Sequence, residues 1–173
     1  MTRYSLLLFL HLTSVIVWLG AGTTLALLGV YARGRDDQVF AERLREVPRW
    51  LGPRVFAPAS FGALVFGLAL MGEGHWGFRL WIGLGLAAFA TSAVLNAGVR
   101  LPLERTLARG GADRERASRL LARLPLLEAA VLYLTVADMV AKPTVSSTGT
   151  LAVGAAILAS ALAAVLAAVP GRR

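Results

Sequence analysis

Residues 6–22 read LLLFLHLTSVIVWLGAG. Within that run His11 is the only ionisable side chain, and the apolar character continues to about residue 30. An α-helix needs roughly 20 mostly apolar residues to cross the hydrocarbon of a bilayer, so the stretch is long enough to span. The apolar region of a signal peptide is shorter, about 7–15 residues. Basic residues also follow this run directly, so it reads as a retained span. Working outward, the same pattern recurs at 55–72, 79–99, 124–141 and 149–169. With 5–30 this gives five expected spans and an all-α, polytopic membrane protein, read as one helical bundle over residues 1–173.

Composition agrees. Hydrophobic residues make up 57% of the 173, above the roughly 45–50% of soluble domains. The absence of cysteine excludes disulfides, thiolate metal sites and cysteine nucleophiles. The net charge is +8, and all but Lys142 of the 18 basic residues are arginine. Most of these arginines gather in two connecting segments and not along one soluble face, so they read as topology signals and lipid-headgroup contacts and not as a nucleic-acid surface.

Their placement sets the orientation. Segment 31–54 carries Arg33, Arg35, Arg43, Arg45, Arg49 and Arg54, and segment 100–123 carries Arg100, Arg105, Arg109, Arg114, Arg116, Arg119 and Arg123. Segments 73–78 and 142–148 hold no Lys or Arg but Lys142. Cytoplasmic loops carry the excess of Lys and Arg, so the N-terminus is expected outside and the C-terminus in the cytoplasm of a bacterial inner membrane. In 36–51, Val39, Phe40, Leu44, Val47 and Leu51 recur at helical spacing between arginines. That pattern predicts a basic amphipathic helix on the inner leaflet, capped by Asp36 or Asp37. A second short helix is expected over 113–124, capped by Asp113 after the Gly110-Gly111 break, with Glu115 and Arg119 spaced to pair.

Ionisable groups inside the slab need a partner or a purpose, because a carboxylate there costs roughly 2.5–3.5 kcal/mol on the insertion scale. His11 on the first span and Asp138 on the fourth share an expected depth toward the outer side, where a hydrogen bond would satisfy both. Lys142, four residues beyond Asp138, can pair with it or extend outward. Toward the inner side, Asn96, Arg100 and Glu128 share a depth, and such a cluster would neutralise the carboxylate without solvent. Each set can equally serve to fix helix register. Ser14, Val15, Trp18 and Gly22 follow His11 at helical spacing, and the small run 20–24 allows close approach of a helix or a flat ligand. Trp50, Trp76 and Trp81 read as belt residues at the membrane interfaces. On the fifth span, Ala155, Ala159, Ala163 and Ala167 form a packing face toward a membrane partner or a second copy. His75, in the outer loop, reads as a solvent histidine. No phosphate loop, hydrolase triad or metal motif is present; GLGLAA at 83–88 follows no strand and has the wrong spacing for a dinucleotide site.

LHLTSVIVWLG at 10–20 and LLEAAVLYLTVADMVAKP at 126–143 resemble bacterial integral membrane proteins of a group that includes the HemJ-type protoporphyrinogen oxidases and the CopD-like copper-resistance domains. The resemblance is nearest to a branch of unknown function and covers roughly 5–143. It implies haem, of the b type, at His11 as iron ligand with Trp18 beside it. Glu128 matches the motif's acidic residue, and Lys142-Pro143 match its end. The departures are specific. Asn96 and Gly85 stand where the oxidases have a third-span His and Lys, and Leu127 and Ala130 replace the Asn and Pro flanking the motif's Glu. These losses speak against protoporphyrinogen oxidation and leave haem binding, for which one imidazole suffices. The other readings are an accessory subunit of a membrane assembly and transport of a small solute or copper. The last is weakened by only three methionines and no cysteine.

Overall fold

The computed structural model describes residues 2–33, 38–110, 113–142 and 154–155. Among the described residues there are helices and no strands. In chain order they are α1 (Arg3–Arg33), α2 (Gln38–Leu51), a π-helical turn (Gly52–Phe56), α3 (Ala57–Glu73), α4 (Leu80–Val94), a second π turn (Leu95–Arg100), α5 (Leu101–Arg109) and α6 (Arg114–Ala141). Four helical stretches are long and apolar enough to cross a membrane: Arg3–Ala32, Glu46–Glu73, Leu80–Arg109 and Arg114–Ala141. They match the first four expected spans. The fifth, 149–169, and its alanine stripe lie almost wholly outside the described residues, as do Asp36 and Asp37.

Two expectations about the basic segments are corrected. The amphipathic helix expected at 36–51 is present as α2, but it does not end at Leu51. Leu51 and Ala57 both keep right-handed helical dihedrals on either side of the π turn, so α2 runs on into α3. The cause is legible in Pro48, Pro53 and Pro58, which offer no amide hydrogen. Widening one turn, so that Ala57 N–H reaches Gly52 O, carries the helix past them. Likewise the short helix expected over 113–124 is the first half of α6, which continues through Pro125. Asp113 occupies the N-cap position, but its side chain makes no capping bond; its carbonyl accepts Ala117 N–H at 3.0 Å. The Glu115–Arg119 pair does form, at 2.6 Å and exposed.

The chain divides into two compact units, Met1–Arg79 and Leu80–Arg173. In the first, α1 packs along α3 and α2 folds against α1. Small residues make the approach close: Ala59 and Ala63 are buried on α3, as are Leu25 and Ala26 on α1. A Cβ added at Gly62 would stand 2.7 Å from Ser14 Oγ, and one at Gly67 would stand 3.1 Å from His11 Cε1. A larger residue at either place would force the facing side chain of α1 to shift. The hydroxyls of Ser14 and Thr23 turn back to Leu10 O and Leu19 O, each at 2.8 Å, so neither is left unpaired in an apolar setting. At one end Arg3 meets Glu73 at 3.5 Å and Tyr4 meets Trp76 edge to face. At the other, Tyr31 meets Phe40 edge to face and Arg54 lies 5.1 Å over the Trp50 ring.

In the second unit α4 and α5 both pack on α6. Leu95, Val99, Leu103, Ala117 and Leu124 form its core, with Leu107, Leu120, Leu121 and Leu127 against them. The pairing of α4 with α6 is antiparallel. Gly85 meets the end of Met139 and Trp81 meets Lys142 near one end, while Asn96 and Arg100 meet Glu128 toward the other.

Candidate functional site

Two polar constellations stand out, one in each unit. In the first, His11 projects from α1 toward α3, and its Nδ1 lies 2.9 Å from the carbonyl of Ala63. A carbonyl can only accept, so Nδ1 carries the hydrogen. The neutral ring then presents Nε2 with a lone pair, and among the described residues Nε2 has no partner. A histidine that ligates metal generally has this arrangement, the second nitrogen donating to a carbonyl or carboxylate that fixes tautomer and ring plane. Gly67 gives the ring its seat, with a would-be Cβ 3.1–3.2 Å from Cε1 and Nδ1. Trp18 lies two turns along α1, partly buried.

In the second unit the π turn Leu95–Arg100 carries Asn96 and Arg100 on the side facing α6. Asn96 Nδ2 donates to Glu128 Oε1 at 2.6 Å and to Ser92 O at 3.0 Å. Arg100 Nη2 donates to Glu128 Oε2 at 2.9 Å. The side chains of the ion pair are only 14% and 11% exposed, so each carboxylate oxygen takes one donor away from bulk solvent. The three residues expected to cluster do so. The attraction of such a pair offsets a desolvation cost of several kcal/mol per ion, roughly, and the pair is therefore costly to break from one side.

Asp138 and Lys142 occupy the opposite end of α6. Both carboxylate oxygens of Asp138 are closed off from the surface without a hydrogen-bond partner among the described residues. Of the two roles expected for Lys142, the pairing is not taken. Its ammonium lies 5.8 Å over the Trp81 ring, and its backbone, at φ 46, closes the helix by donating to Asp138 O at 2.8 Å. His11 belongs to the first unit and Asp138 to the second. His75 is exposed, has a positive φ of 49, and its Nδ1 is 3.0 Å from Glu73 O within its own turn.

Sequence reasoning did not identify the partners that hold these groups. The carbonyls of Ala63 and Ser92 have no side-chain signature. Gly62 and Gly67 were visible as glycines of the second span, but nothing assigned them to Ser14 and His11. Among the described residues no group of three His, Cys, Asp or Glu gathers to hold a metal ion. Comparison with known proteins returns no matching family model, no matching curated protein and no matching solved structure.

Proposed function

We propose that this chain is a five-span protein of a bacterial cytoplasmic membrane, N-terminus outside, that holds haem through His11. The observation that carries the reading is the His11–Ala63 hydrogen bond at 2.9 Å, which commits Nδ1 and leaves Nε2 as the free donor atom. The resemblance of 10–20 and 126–143 to the group that includes the HemJ-type oxidases, in which a first-span His is implicated in haem binding, supports it. The five spans and their direction rest on the two arginine-rich segments alternating with nearly uncharged ones. One imidazole can hold haem iron, and the group would supply one-electron exchange when bound. The chain itself supplies a fixed ring plane, through Ala63 O, and a seat without side-chain bulk, through Gly67. With Asn96 and Gly85 in place of the oxidases' His and Lys, the proposed role is haem binding or electron exchange and not protoporphyrinogen oxidation.

A second reading is favoured by the same bond seen from the other side. His11–Ala63 ties α1 to α3, as Glu128 ties α4 and its π turn to α6, and both are then interhelical fastenings in a subunit of a larger membrane assembly. An absorption spectrum separates the two. Full-length protein purified in mild detergent from haem-replete cells is expected to show a Soret band. His11→Ala is expected to lose it while eluting at the wild-type position in size exclusion. A colourless wild-type preparation contradicts the haem reading and leaves the fastening.

A further inference from the structure

We propose that Asp138 is a seat for a small monovalent cation, a proton or an alkali-metal ion, at the end of α6 away from Glu128. Both its oxygens are closed off from the surface and without a hydrogen-bond partner among the described residues. The donors within reach along the helix are committed elsewhere. Lys142, one turn on, lies over Trp81. The hydroxyl of Thr135, one turn back, donates to Val131 O at 2.8 Å.

Among the described residues, the elements packed closely against α6 supply no counter-charge at this level. They are α4, the second π turn and α5. This end of α6 lies against α4, where Met139 meets Gly85, and α4 carries no ionisable side chain from Leu80 to Val94. The π turn holds Arg100, which is bonded to Glu128. The charges of α5, Glu104, Arg105 and Arg109, lie beyond that pair at the far end. On α6 itself the nearest ionisable side chains are Tyr133, which is exposed, and Glu128, ten residues and about 15 Å away along the axis.

Glu128 shows how this fold treats a carboxylate it means to keep fastened, with a donor on each oxygen. Asp138 has none. A buried charge is ordinarily paired, and an ionisable residue inside a span is by default a functional site. The counter-charge must be small, since it has to reach atoms closed to solvent. It is monovalent because sites for divalent ions are commonly built from more than one charged or imidazole ligand, and no group of three His, Cys, Asp or Glu gathers among the described residues. The inference does not depend on haem at His11.

The thermal midpoint of the full-length protein in mild detergent tests it. The midpoint is followed across pH, and at fixed pH with sodium, potassium or choline chloride at equal ionic strength. The wild type is expected to shift by about 2–4 °C for a chain of this size, and Asp138→Asn is expected not to shift. A response to pH alone assigns a proton; a response to sodium or potassium over choline assigns the alkali ion. Identical responses in wild type and Asp138→Asn overturn the proposal. If the variant does not fold, dicyclohexylcarbodiimide is applied to the wild type. The carboxyl proton passes to a carbodiimide nitrogen while the carboxyl oxygen bonds to the central carbon, giving an O-acylisourea that peptide mass mapping locates. An adduct at Asp138 and none at Glu128, diminished by raised pH or by the bound ion, is the expected result. No adduct at Asp138, or one indifferent to both pH and salt, overturns it.

Discussion

Arg100→Leu is expected to destabilise the fold by about 3–5 kcal/mol, because it leaves the Glu128 carboxylate buried with one oxygen unpaired. Asn96 would still donate to Oε1, but a neutral amide does not replace a guanidinium 2.9 Å from the other oxygen. The reverse change, Glu128→Leu, should cost less. The freed arginine has a long apolar stem, and Arg100 is near the basic end of its helix, so it can carry its charge outward. Asn96 also retains Ser92 O at 3.0 Å as an acceptor. The informative variant is the double one. Arg100→Leu with Glu128→Leu replaces both charges by apolar side chains beside Leu124 and Leu127, and such exchanges are often neutral or stabilising. Unfolding in detergent micelles should therefore rank the double variant above Arg100→Leu alone. Additive losses would mean that the pair does not act as a unit.

The second large effect is expected at Gly67. An alanine there places its Cβ 3.1 Å from His11 Cε1, so the ring must give by a few tenths of an ångström. Isoleucine fills the seat outright and drives the ring from Ala63 O. Gly67→Ile is expected to cost about 1–3 kcal/mol by overpacking, and to weaken or abolish any Soret band as His11→Ala does. Gly72→Ile is the control on the same helix. Gly72 is exposed, and a Cβ added there meets nothing within 4 Å. Thermal unfolding and the absorption spectrum of the two variants check both halves. Equal behaviour at Gly67 and Gly72 would show that the His11 seat carries no energy and no function.

The helices that build these places were legible in the sequence because membrane spans are set by length and apolar content, which one chain displays directly. The first four expected spans each coincide with an observed helical stretch, but three of those stretches run on at one end, to Glu46, Arg109 and Arg114, well beyond the expected bounds 55, 99 and 124; span four ends at Ala141 as read. The Asn96–Arg100–Glu128 cluster was legible for the same reason. Antiparallel helices of known start share a depth, and depth is arithmetic at about 1.5 Å per residue. Helix continuity was not legible. Pro53 and Pro125 look like breaks at the residue level, yet the π turn at Gly52–Phe56 and the packing of Leu120, Leu121 and Leu124 carry the helices across them. The partner of His11 was hidden for a different reason. It is a backbone carbonyl, reached only because Gly67 and Ala63 are small, and every residue has a carbonyl.

The proposed outward placement of His11 and Asp138 depends on which side of the bilayer each end of the helices faces. The chain contains no native cysteine, so a single introduced thiol reports its own side without background. Phe78→Cys, in the turn between α3 and α4, and Ala108→Cys, near the end of α5, are both at exposed positions. A membrane-impermeant maleimide applied to intact cells is expected to label Phe78→Cys at once, and Ala108→Cys only after permeabilisation. Labelling of Ala108→Cys in intact cells, or of both positions alike, would contradict the orientation and with it the outward placement of His11 and Asp138.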